Sequence, residues 1–171
     1  MKNIRVANGQ GFWGDCIEAP TKLIKYGNID YLTLDYLAEV TMSIMQRQKK
    51  KDPEKGGYAT DFVALVDSNI NEIINNNIKI IANAGGVNPY ACKRELKKIS
   101  KKHDIDLKIA IVEGDDIYND LNNLIKDNHE FKNIDTNESI SSILNKIYSA
   151  NVYIDSFSVA KALSLGADIV L

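Results

Sequence analysis

Short apolar runs and stretches of helical spacing take turns along this chain, and the switches between them predict its elements. Ile4 to Ala7 is an apolar run that breaks at Asn8 into a loop with Gly9, Gly11 and Gly14. Pro20 then suits the first turn of a short helix through Tyr26, stopped by Gly27. Ile29 to Tyr36, rich in β-branched and aromatic residues, reads as a second strand. Leu37, Val40, Thr41, Ile44, Met45 and Gln48 follow helical spacing, and Lys49 to Tyr58 is a loop carrying Pro53, Gly56 and Gly57. Phe62, Val63, Leu65, Val66, Ile70, Ile73 and Ile74 mark the buried face of a longer helix closed by Asn75, Asn76 and Asn77. Ile78 to Ala82 is a third strand, and Ala91, Cys92, Glu95, Leu96 and Ile99 place the next helix on the sheet. Leu107 to Val112 is a fourth strand, and Ile117, Leu121, Leu124 and Ile125 mark a helix after it. Lys126 to Ser139 is polar and Asn-rich, and Ile140, Ile143 and Leu144 form at most a short helix. Ile147 to Ile154 reads as a fifth strand, Phe157 to Leu163 as a helix stopped by Gly166, and Ala167 to Leu171 as a sixth strand.

Strands alternating with helices predict an α/β fold. The expected form is a mostly parallel sheet of about six strands with helices on both faces, a three-layer, Rossmann-like arrangement. Part of a (βα) barrel is the alternative. With 171 residues the chain is read as one domain, 1–171, built on one core. It stops within an apolar strand, at Val170 and Leu171, which predicts a truncated or split part of a longer domain. An uncovered sheet edge of that kind predicts a homo-oligomer, or association with a separately encoded remainder.

Composition narrows the function classes. Lys and Arg total 21 against 23 Asp and Glu, so no overall basic field exists to hold nucleic acid. The lysine runs at 49–51 and 97–102 read as solvated helix surface. Cys16 and Cys92 stand far apart in no metal-like spacing and read as reduced thiols. No apolar run reaches membrane-spanning length and no signal segment is recognisable, so a cytoplasmic protein is expected.

Gly9-Gln10-Gly11-Phe12-Trp13-Gly14 satisfies G-x-G-x-x-G between a strand and a helix, and Asp35 ends the second strand where a ribose-binding acid belongs. As a pattern, that is a dinucleotide-binding oxidoreductase. Its details argue otherwise. Pro20 sets the helix start well beyond Gly14, and Asp15 and Glu18 put carboxylates where phosphate belongs. A loop facing a small substrate accounts for Phe12, Trp13 and Asp15 together with the glycines.

The segments GQGFWGDCIEAP, IDYLTLDYLAEVTM, KIIANAGGVNP, IAIVEGDD and SANVYIDSFSVAKALSLGADIV occur in that order from the first strand to Leu171. Together they make the chain resemble the N-terminal part of the acyclic terpene utilisation (AtuA) family. Cys16 stands where the family's loop usually has Arg, and Asp155 where the S-A-N-x-Y-L-G segment has Gly. The resemblance implies catabolism of branched or terpenoid acids as CoA thioesters, beside a biotin-dependent acyl-CoA carboxylase. It leaves the reaction and any cofactor unknown.

In a parallel sheet, ligands gather outside the carboxyl ends of the strands. Those ends predict Asp15, Asp35, Glu39, Glu113, Asp115 and Asp116 as catalytic acids or bases. Asn8, Gly9, Gly11, Phe12, Trp13, Gly14, Asn83, Gly85, Gly86, Asn88 and Asn151 are predicted to bind substrate. Plainer roles compete: Asp115 or Asp116 can cap the next helix, Asn88 can be an N-cap, and Gly85 and Gly86 can merely permit a turn. His103 and His129 read as surface residues, and no ligand spacing calls for a metal. The expected function is therefore part of an enzyme acting on branched or terpenoid acyl-CoA or carboxylic acids by acid–base chemistry. A non-catalytic binding or assembly subunit is the alternative.

Overall fold

The computed structural model describes residues 3–171. The chain divides into two compact units, Met1–Val112 with Asp155–Leu171, and Glu113–Ile154. In chain order the first unit runs β1 (Val6–Gln10), α1 (Glu18–Tyr26), β2 (Tyr31–Leu34), α2 (Glu39–Lys51), α3 (Thr60–Asn75), β3 (Lys79–Ala82), α4 (Pro89–Lys102) and β4 (Ile109–Ala110). The second unit then supplies α5 (Leu121–Lys126), and the chain returns to the first as α6 (Phe157–Ser164) and β5 (Ile169–Val170).

Among the described residues the sheet has five strands in the order β1-β2-β3-β5-β4, every neighbouring pair parallel. Its register aligns Leu32, Ile80, Ile169 and Ile109 in one row. Because strand side chains alternate, that row shares one face and is buried with Ile24 of α1, Phe62 and Val66 of α3, and Leu96 of α4. Each such side chain contributes roughly 1.5–3 kcal/mol relative to leaving it in water. The next row, Thr33, Ile81, Val170 and Ala110, faces the other way. Ile24, Phe62, Val66 and Leu96 put α1, α3 and α4 on the first face, and the right-handed rule for parallel crossovers assigns α6, whose strand steps back from β4 toward β3, to the opposite one.

The α/β class and parallel sheet match expectation, while the strand count is five rather than six. Ile147 to Ile154 is not a strand. Its Tyr148, Val152, Tyr153 and Ile154 side chains are exposed, and only Asn151 makes a bridge, antiparallel to Asp116. A strand-like composition forms a strand only where a neighbouring edge and a core accept it.

Other boundaries shift for local reasons. β1 starts later and runs on through Asn8, Gly9 and Gln10, so the first glycine lies in the strand. A side chain at Gly9 would meet Leu34, Leu32 and Pro20 at 3.0–3.1 Å, so glycine lets the start of α1 pack onto the sheet. α1 begins at Glu18, because proline is tolerated throughout a first helical turn. α2 extends to Lys51 before Asp52 caps it, and α5 begins at Leu121 rather than Ile117. Residues around Ile140 form two 3₁₀ turns, Ile140–Ser142 and Leu144–Lys146. Asn77 follows α3 in the left-handed region at φ 51°, which asparagine tolerates better than most residues. Among the described residues, no helix is long and apolar enough to cross a membrane.

Candidate functional site

The glycine loop is closed on itself by Asp15. Its Oδ2 accepts from the Gly11 N–H at 3.0 Å and its Oδ1 from the Cys16 N–H at 2.7 Å. These two bonds, the Gly11 one foremost, hold the Asp15 carboxyl below its ordinary value. Phe12 and Gly14 are exposed, and Gly14 takes φ +95° with open space around it. Trp13 is half-buried, and its indole N–H donates to Asp61 Oδ1 of α3 at 3.0 Å.

At the next strand end, Asn83 Nδ2 donates to Asp35 Oδ1 at 2.7 Å, while Asn83 Oδ1 accepts from the Tyr36 N–H at 2.7 Å. The Leu37 N–H also reaches Asp35 Oδ1, at 3.2 Å. Among the described residues no hydrogen bond engages Asp35 Oδ2, and the side chain is exposed. On the same face, Thr33 Oγ1 donates to Asn8 Oδ1 at 3.1 Å. Glu39 is the first residue of α2 and exposed.

Three predicted binding residues are committed to the fold. Asn88 Nδ2 donates to the Pro53 and Gly56 carbonyls at 2.8 Å each, and its Oδ1 accepts from the Ala91 N–H as the cap of α4. A Cβ at Gly85 would stand 2.8 Å from Pro89. Gly86 takes φ +54°, and a Cβ there would lie 2.3 Å from Met45 Sδ.

The second unit holds its own pair. Asn151 Nδ2 donates to Asp115 Oδ2 at 2.9 Å, and the Val152 N–H donates to the Asp115 carbonyl at 2.8 Å. Asp116 Oδ1 accepts from the Tyr118 N–H rather than from a residue of α5. Glu113 is exposed. A pocket of about 290 Å³ in this unit is lined by Ile125, His129, Phe131 and Ile140 among others, and by none of the predicted residues.

The family model described as acyclic terpene utilisation family protein AtuA matches residues 4–171. The chain belongs to this family. No curated protein and no solved structure matches it.

In this AtuA-family chain the predicted residues of the first unit thus divide by chemistry. Asp35, with an oxygen left unengaged and the other fixed, has the geometry of a positioned base or hydrogen-bond acceptor. Asn83 and Thr33 donate to their neighbours, Asn83 to Asp35 and Thr33 to Asn8. Asp15 serves the loop, and it occupies the Gly11 and Cys16 N–H groups that a pyrophosphate would need. Among the described residues no three or more His, Cys, Asp and Glu side chains converge as a metal set.

Sequence reasoning overlooked Gln10, Thr33, Tyr36 and Asp61. Gln10 is buried at the end of β1, with its side-chain amide beside the Tyr36 phenol. Burial first, and the Asp61 carboxylate second, push the buried Tyr36 phenol well above its ordinary value. Gln10 hid as a variable position inside the glycine motif, and Asp61 stands 48 residues from the Trp13 it meets. Only the alternation of β2 carried a signal, since Thr33 is the polar position that interrupts Leu32 and Leu34.

Proposed function

We propose that the first unit is part of an enzyme that binds a branched or terpenoid carboxylic acid, or its acyl-CoA thioester, at the carboxyl end of β1 to β3. Asp35 is the proton acceptor in this reading, through Oδ2, and Asn83 is its positioning residue. The observation that carries it is the Asn83–Asp35 bond of 2.7 Å, which fixes one carboxylate oxygen and leaves the other toward solvent. Asn8 and Thr33, on the neighbouring strands, supply polar groups for a substrate carbonyl. Family membership favours a terpenoid or branched substrate, because the family's description names acyclic terpene utilisation. Asp115 with Asn151 in the second unit repeats the carboxylate–amide pairing and is the second candidate base.

Acid–base chemistry beside a carbonyl exchanges the adjacent C–H protons with solvent. Branched acyl-CoA thioesters and their free acids, incubated with the protein in heavy water and followed by proton NMR, test this directly. Asp35→Asn is expected to slow exchange by about 10²-fold or more, the usual contribution of a general base. Its circular dichroism should stay that of the wild type. Exchange that persists unchanged in both Asp35→Asn and Asp115→Asn removes these two residues as the base, and no exchange with the wild type removes the enzymatic reading and favours a binding or assembly subunit.

A further inference from the structure

In the second unit, Ile147 to Ile154 has a strand-like composition but is paired along one side only. There the Ile117 N–H donates to the Ala150 carbonyl at 2.9 Å and the Val152 N–H to the Asp115 carbonyl at 2.8 Å. These bonds set Asn151 opposite Asp116 as an antiparallel bridge. Main-chain groups alternate sides along an extended chain, so Ser149, Asn151 and Tyr153 direct theirs away from the bridge. Among the described residues these three make no main-chain to main-chain hydrogen bond. Side chains alternate as well, with apolar Tyr148, Ala150, Val152 and Ile154 separated by Ser149, Asn151 and Tyr153. Tyr148, Val152, Tyr153 and Ile154 are exposed. An open main-chain edge beside exposed apolar side chains is a template for another strand.

We infer that this edge takes the same edge of a second copy of the chain, antiparallel about a two-fold axis at Asn151. The segment is its own complement in that register. Ser149 exchanges main-chain hydrogen bonds with Tyr153 of the other copy, and Asn151 meets Asn151. Ala150 then stands opposite Val152 and Tyr148 opposite Ile154, apolar pairs of the kind that stabilise a ladder. A shift of one residue would oppose outward-facing main-chain groups to inward-facing ones, so the alternation fixes the register. No residue from Ile147 to Ile154 is charged, and the pairing therefore sets no like charges against each other. The charge lies elsewhere in the unit, where Glu113–Ile154 carries eight Asp and Glu against three Lys. Two such units repel at low salt and are screened at higher salt, so association with a copy strengthens as salt is added. A basic partner strand would show the opposite dependence. A two-fold contact of this type closes at two copies.

Sedimentation velocity on the full chain tests this, from about 1 to 500 μM and at about 50 and 300 mM NaCl. A monomer–dimer equilibrium is expected, moving toward dimer with both concentration and salt. Val152→Glu puts two carboxylates diagonally across the axis and should weaken the dimer about tenfold, with the circular dichroism of the wild type. Crosslinking reads the register. In a Cys16→Ser background, Asn151→Cys should form an intermolecular disulfide on mild oxidation, because the paired Cα atoms stand about 5.5 Å apart. Tyr148→Cys faces Ile154 instead and should crosslink at least about tenfold more slowly. Monomer at every concentration, association that weakens with salt, assemblies larger than a dimer, or an unaltered dimer in Val152→Glu would each overturn the proposal. If Val152→Glu misfolds, the crosslinking pair decides, and equal rates at the two positions overturn it.

Discussion

Asn83 holds Asp35 from one side only: its Nδ2 reaches Oδ1 at 2.7 Å, and its own Oδ1 takes the Tyr36 N–H at 2.7 Å. One amide thus fixes both the carboxylate and the backbone that carries the next residue into the core. The two residues should differ in what they give to stability. Asn83→Leu removes the acceptor for a part-buried N–H and is expected to cost about 1–3 kcal/mol. Asp35→Asn keeps an Oδ1 that still accepts from Asn83 and Leu37, so its cost should stay within about 0.5 kcal/mol. Urea unfolding of the two variants checks this, and equal destabilisation would mean the amide does not serve the backbone.

A second prediction concerns pH. Asp67 of α3 accepts from Lys102 Nζ at 2.8 Å and from His103 Nε2 at 2.8 Å, tying α3 to the end of α4. Lys102 first, and His103 after it, hold the Asp67 carboxyl below its ordinary 3.8. A carboxyl depressed in the folded state adds stability above its unfolded value and loses it as pH falls through the folded one. The wild type should therefore melt higher than Asp67→Asn near neutral pH. The gap should begin to close below about pH 5 and vanish in stronger acid. Melting curves of both proteins across that range give the answer, and a gap that widens in acid would reverse the assignment.

Sequence pattern exposed the β-α alternation because each buried row is periodic: Leu32 and Leu34, or Ile80 and Ala82, alternate with half-exposed partners. It failed at Ile147 to Ile154, where composition is strand-like but no sheet edge takes the segment in. Asp35 and Asn83 were legible as polar residues at strand ends, whereas the bond between them spans 48 residues and has no local signature. Asn88 read somewhat better as a cap than as a ligand, and its three protein contacts make it a cap. Gln10 was illegible because the burial of an amide is a property of packing, not of residue type.

Gly86 offers a test of the turn that sets Asn83. It sits at φ +54°, and an added Cβ would fall 2.3 Å from Met45 Sδ and 2.7 Å from the Gly57 carbonyl. Met45 is fully buried, so it has little room to yield. Gly86→Ala is expected to cost about 1–3 kcal/mol from overpacking, with left-handed backbone strain adding to it. Gly14→Ala, with a positive φ but open space, should cost less. Thermal melts of the pair separate the two contributions, and equal losses would show that steric contact at Met45 is not the larger one.

The two thiols make the last prediction. Cys92 is fully buried on the inner face of α4, and burial foremost, with the Glu95 carboxylate second, pushes its thiol up to about 12. Only the thiolate attacks a disulfide reagent, so Cys92 must both open to solvent and ionise before it reacts. Cys16 lies exposed at the end of the glycine loop. In the native protein at mildly alkaline pH, Ellman's reagent should titrate Cys16 quickly and leave Cys92 untouched. Cys16→Ser should then react only as fast as the fold opens, so its rate should rise with urea along the unfolding curve. Unfolded protein should titrate both thiols. Rapid reaction of native Cys16→Ser would mean that the inner face of α4 is not sealed against the core at Cys92, and the core built on Leu96 and Phe62 would need redrawing at that position.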